Sequence, residues 1–180
     1  IRDVASSHGF KGEYISAELH FRTSESYHPH EPWVHTDIAA AKYLARGVIT
    51  TLGMNFTTGT AASNKSQIIV TQNLATIMAG SKPIDLPIEI QSKATDSKSY
   101  TFSLSNGDNL IILWTDGVAV DEDLGVNATL TIPNFSAQKV TGVDVLEGYQ
   151  QDVVTSNNDG NLVVQNLKVR DYPLILHISN

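Results

Sequence analysis

The chain of 180 residues contains no cysteine, which excludes disulfides, thiolate nucleophiles and cysteine-based zinc sites and leaves the redox compartment open. Basic residues are few and scattered. Twelve lysines and arginines against 19 aspartates and glutamates give a net charge of −7, with no basic cluster to neutralise phosphates, so nucleic acid is not an expected partner. No apolar run approaches the roughly 18 residues of a spanning helix, so no membrane partner is expected either. Methionine is also scarce, and the first is Met54. The opening residues Ile1, Val4 and Ala5 fall at helical spacing before a stop at Gly9, the pattern of a helix end. The expectation is a chain whose leader was removed, the tail of something longer, or a chain that was cut.

What is present is an ordinary globular composition, 41% hydrophobic and 17% charged, enough for a core in one or two domains. The run Glu13–Phe21 reads as a strand. Strict alternation would put Tyr14, Ser16, Glu18 and His20 on one face and Ile15, Ala17, Leu19 and Phe21 on the other. From Thr36 to Leu52 the apolar residues Ile38, Ala41, Leu44, Ala45, Val48, Ile49 and Leu52 follow helical spacing, with Thr36 as N-cap and Gly53 as stop. Asn55–Ala61 reads as a short strand and Asn64–Ala79 as a second helix ended by Gly80 and Pro83.

After Pro83 the period changes from 3.6 to 2. Tyr100, Phe102 and Leu104 alternate, Asn106-Gly107 signals a hairpin, and Leu110–Trp114 returns as a buried strand. Further strands are expected at Val126–Ile132, Lys139–Leu146, Tyr149–Thr155, Asn161–Gln165 and Tyr172–Ile178. The predicted class is α+β: a partial (β/α) barrel segment of two βα units over 1–83, then an antiparallel β-sandwich over 84–180. Two parallel strands cannot close a sheet, and their edges expose unpaired backbone groups. The first part therefore belongs to a larger barrel, pairs with another copy, or packs on the sandwich. A homo-oligomer or a missing N-terminal barrel portion follows as the expected partner.

Glu18 sits toward the carboxyl end of its predicted strand, where α/β barrels keep their active sites. The following loop, Tyr27-His28-Pro29-His30-Glu31-Pro32-Trp33-Val34-His35, concentrates imidazoles and a carboxylate. Taken by itself, it is read as a metal site through His28 and His30 or as an ordinary surface loop. Asp116, Asp121, Glu122 and Asp123 miss the offsets of a calcium loop and read as a solvated turn, while Trp114 reads as sandwich core. No metal ligand set and no cofactor is assigned. Sequons stand at Asn55, Asn64, Asn127 and Asn134.

The stretch Gly12–Leu52, with Leu-Ile-Ile-Leu-Trp-Thr-Asp-Gly-Val at 110–118 and Asp-Tyr-Pro-Leu-Ile-Leu at 171–176, resembles the C-terminal end of clan A glycoside hydrolases. Those are (β/α)8-barrel retaining enzymes, some with a β-sandwich after the barrel. The resemblance implies a carbohydrate substrate and selects Glu18, in Ile15-Ser16-Ala17-Glu18, as the nucleophile position. His20, Tyr27, His28 and Trp33 then become substrate-binding candidates. The clan's acid/base glutamate has no counterpart here. Glu13 cannot replace it, since five strand residues span roughly 16 Å where a retaining pair stands about 5–5.5 Å apart. Glu25 and Glu31 lie on the loop, and nothing in their spacing requires them to fold back. A chain without that second carboxylate is expected to be inactive alone. The competing function is a non-catalytic β-sandwich that binds carbohydrate or serves a structural role.

Overall fold

A computed structural model describes residues 1–23 and 34–179. The first part runs α1 (Arg2–Ser7), β1 (Ile15–His20), α2 (Asp37–Gly53), β2 (Thr57–Ala61) and α3 (Lys65–Ile77). Both long helices start where side chains can cap them. Thr36 Oγ1 accepts the Ala39 amide at 3.1 Å, and Asn64 Oδ1 accepts the Gln67 amide at 2.9 Å, each relieving one orphan N–H of a first turn. The Asn64 cap is itself buried, so its sequon is inaccessible in the folded chain.

The rest is antiparallel sheet: β3 (Lys82–Ile84), β4 (Glu89–Ser92), β5 (Ser97–Ser103), β6 (Asn109–Thr115), β7 (Val126–Ile132), β8 (Lys139–Asp144), β9 (Gln150–Asp152), β10 (Thr155–Asn158), β11 (Asn161–Val169) and β12 (Leu174–Ser179). They form a six-stranded sheet in the order β3-β5-β6-β12-β8-β9 and a four-stranded sheet in the order β10-β11-β7-β4. β3 straddles the 83/84 division.

The six-stranded sheet is covered on both faces, which explains why Leu110–Trp114 is apolar throughout rather than alternating. Leu110, Ile112 and Trp114 face one core with Ala41, Ala45 and Ile49 of α2 and Val70 and Leu74 of α3. Ile111 and Leu113 face the other, with Leu130 and Ile132 of β7 and Leu162 and Val164 of β11. Each fully buried leucine or isoleucine in these layers is worth about 1.5–3 kcal/mol relative to exposure. Trp114, 2% exposed, is core as expected.

Two expectations change. Tyr149–Thr155 is not one strand: it breaks at Val153–Val154 into β9 and β10, which lie in different sheets. The predicted barrel segment appears as a parallel β1–β2 pair crossed by α2, and among the described residues neither strand pairs with any other. Two strands do not define a barrel.

Candidate functional site

The parallel ladder between β1 and β2 is interrupted at the candidate nucleophile. Ile15 pairs with Thr57 and Ser16 with Thr58, but the next pairs are Leu19 with Thr60 and His20 with Ala61. Ala17 and Glu18 thus share the position that β2 fills with Gly59 alone, a β-bulge. Because side chains alternate along a strand, one extra residue exchanges the faces. Before the bulge Tyr14 turns inward and stacks on Phe56 at 5.2 Å, while Ile15 is 64% exposed. After it Leu19 packs into the core and Phe21 stacks on Tyr43 of α2 at 5.8 Å, leaving Glu18 and His20 outward. The alternation read from the sequence therefore holds for Glu18–Phe21 and is reversed for Tyr14 and Ile15.

Gly59 is required here. A Cβ at this position would stand 2.3 Å from the Ala17 carbonyl oxygen, a backbone atom that cannot rotate away. Gly59→Ala should lower stability by about 1–3 kcal/mol, as overpacking does. Urea denaturation checks it, and an unchanged midpoint would show that the bulge is not held rigidly.

The Glu18 side chain is 64% exposed, and its ionic contact is with Nδ1 of His20 at 4.0 Å. No lysine or arginine pairs with it among the described residues. The carboxylate is thus presented at the surface beside an imidazole, on a strand that pairs only with β2 among the described residues.

Just past β1, Thr23 forms a parallel bridge with His35, and the His35 amide donates to the Arg22 carbonyl at 3.0 Å. Tyr27, His28 and Trp33, together with His30, Glu25 and Glu31, lie outside the described residues. Among the described residues no three His, Asp or Glu side chains gather at one point.

One cluster escaped sequence reasoning. Lys42 and Arg46 of α2, 2% and 7% exposed, are buried among apolar neighbours. Lys42 Nζ donates to Asp171 Oδ1 at 2.7 Å and to the Val120 carbonyl at 2.5 Å. Arg46 donates to the carbonyls of Asp171, Gly117 and Thr115. Asp171 in turn accepts the Val120 amide at 2.8 Å, and its own amide donates to Asp123 at 2.6 Å. Asp121 accepts the Thr36 hydroxyl. The acidic turn is thus only partly solvated: two of its carboxylates fasten the segment between β6 and β7 to the start of α2 and to Asp171. The available signal was a Lys/Arg pair four residues apart, flanked by Ala41 and Ala45 on the apolar side of a helix.

A second polar chain runs through Tyr172. Its hydroxyl donates to Asp144 Oδ2 at 2.7 Å and accepts from Arg170 at 2.9 Å. Burial first, then the Asp144 carboxylate, pushes the phenol well above its ordinary range, so Tyr172 stays a donor.

No protein-family model matches the chain. No curated protein matches it either. Among solved structures it is similar to an alpha-fucosidase of Thermotoga maritima, with 10% identity and a TM-score of 0.47 over 90% of this chain. The chain spans 38% of the length of that fucosidase chain.

Proposed function

We propose that this chain is the closing section of a retaining glycosidase. Residues 1–83 supply the last two βα units, 84–180 form an accessory sandwich, and Glu18 is the nucleophile of the complete site. The observation that carries this reading is the presentation of Glu18: exposed, on a bulge, toward the carboxyl end of a parallel strand whose outer edge has no strand beside it among the described residues. Its sequence context, Ile15-Ser16-Ala17-Glu18, supports the same assignment.

In this reading Glu18 attacks the anomeric carbon as the glycosidic bond breaks, and a carboxylic acid from another strand protonates the departing oxygen. Water then releases the sugar from Glu18, deprotonated by that second carboxylate. His20, whose Nδ1 stands 4.0 Å from the Glu18 carboxylate, is a substrate-binding candidate beside it. Tyr27, His28 and Trp33, outside the described residues, are the further substrate-binding candidates of this reading. The chain by itself holds half of the pair and should not turn over aryl glycosides. The strand edges are covered by preceding barrel strands or by a second copy, and light scattering that returned a clean monomer would exclude the copy.

The test is covalent labelling. A polypeptide that includes the preceding barrel strands, treated with a 2-deoxy-2-fluoroglycosyl fluoride, should gain one glycosyl mass on the peptide containing Glu18. A label on any other carboxylate overturns the assignment.

A further inference from the structure

The two sheets part where the chain changes sheet. β9 edges the six-stranded sheet, β10 edges the four-stranded one, and Val153 and Val154 cross between them. On the facing strand β11, Val164 pairs with Leu130 and Leu167 with Ala128, so Gln165 and Asn166 share one position opposite β7. Asn166 adopts φ 56°, the left-handed region, a strained conformation that clusters at binding sites. These irregularities border a cleft of about 590 Å³, a volume that suits a small ligand.

The cleft has an apolar floor of Leu167, Leu174 and Leu176 and a polar rim. Tyr149 stands on that rim, 71% exposed. Its backbone is fixed: the Tyr149 carbonyl accepts the Asp144 amide at 2.9 Å, and Asn73 of α3 donates to the Val145 carbonyl of the same hairpin at 3.0 Å. The Arg170 guanidinium donates to the Tyr172 hydroxyl at 2.9 Å, and its other N–H groups have no hydrogen-bond partner among the described residues. The carboxylates nearby are engaged, Asp144 by Tyr172 and Asp152 by Lys139 at 2.8 Å.

We propose that this cleft binds a neutral oligosaccharide, with the Tyr149 ring against a sugar face and Arg170, Gln165 and Asn166 on its hydroxyls. A pyranose offers an apolar C–H face and a rim of groups that both donate and accept. An exposed, rigidly mounted aromatic ring answers the first, and side-chain amides, which also both donate and accept, answer the second. The lining carries two cations, Lys168 and Arg170, and two carboxylates, Asp144 and Asp152, the latter also paired with Lys139, so no strong charge of either sign faces the cleft. A peptide adding to the sheets would find edges of only three and four residues, broken between β9 and β10. No residue of β1 lines the cleft, so this inference stands apart from the Glu18 reading.

Affinity electrophoresis of the whole chain through gels holding hydroxyethyl cellulose, arabinoxylan or galactomannan tests it. At least one neutral polysaccharide should retard the chain, Tyr149→Ala should weaken that retardation at least about tenfold, and Tyr149→Trp should preserve it. Asn166→Gly keeps the left-handed backbone while removing the amide, and should weaken binding with an unchanged melting temperature. No retardation in any neutral gel, equal retardation of Tyr149→Ala, or retardation by polygalacturonate alone that salt abolishes would each overturn the proposal.

Discussion

On the proposed retaining mechanism, Glu18→Ala in a polypeptide that supplies the preceding barrel strands should lower kcat by roughly 10⁴–10⁶-fold, the range that removal of a covalent nucleophile covers. The loss is large because a retaining mechanism passes through a glycosyl-enzyme bond that no neighbouring group can replace. His20 offers a nitrogen 4.0 Å from the carboxylate but lies two residues further along the strand, displaced from the carboxylate's own line of attack. Removing the side chain opens a space on the face it occupied. Azide should enter that space, attack the anomeric carbon and restore part of the rate, giving a glycosyl azide of inverted configuration. A stability defect would not be rescued by azide, and Glu18 is 64% exposed, so its removal should leave folding intact. Undiminished kcat in Glu18→Ala would remove Glu18 from the mechanism.

The largest effect on stability is expected at Asp171. Asp171→Ala leaves the Lys42 ammonium, 2% exposed, without its counter-charge and deprives the Val120 amide of its acceptor. Breaking one side of a buried pair costs about 3–5 kcal/mol. Against a total of about 5–15 kcal/mol for a domain, that is enough to unfold a substantial fraction of the molecules. Lys42→Met combined with Asp171→Leu should recover much of the loss, since an apolar replacement of the pair removes the stranded charge, although the Val120 amide stays unpaired. Urea unfolding of the two single variants and the double variant gives the coupling energy. Equal destabilisation by the double and by Asp171→Ala would show that the charge pair is not the origin of the effect. Because these residues join α2 to the segment between β6 and β7, Asp171→Ala should also make residues 116–125 a preferred site of proteolysis.

The elements themselves were readable where local pattern suffices. The helix expected over Thr36–Leu52 is Asp37–Gly53, because its apolar residues repeat at helical spacing and Thr36 caps it. Val126–Ile132 is a strand with the bounds expected. β3 and β4 went unread: they are three and four residues long, and their apolar content is too slight to show a period. Part of the candidate site was legible too. Glu18 and His20 do share an outward face, as parity required from Glu18 onward. The reversal at Tyr14 and Ile15 was not legible, because the bulge depends on how β1 registers against β2, some forty residues later in the chain.

The amino-acid sequence by itself determined the order of helices and strands, the apolar layers, the caps, and a composition without thiols or a basic patch. Only the tertiary structure decided that Ala17 and Glu18 form a bulge, that residues 149–155 divide between two sheets, and that Lys42 meets Asp171 across a separation of 129 residues. The physical reason is one of range. Periodicity and capping arise among residues a few positions apart and leave a local trace. Strand register and charge pairing are settled by distant segments packed together, and they leave none.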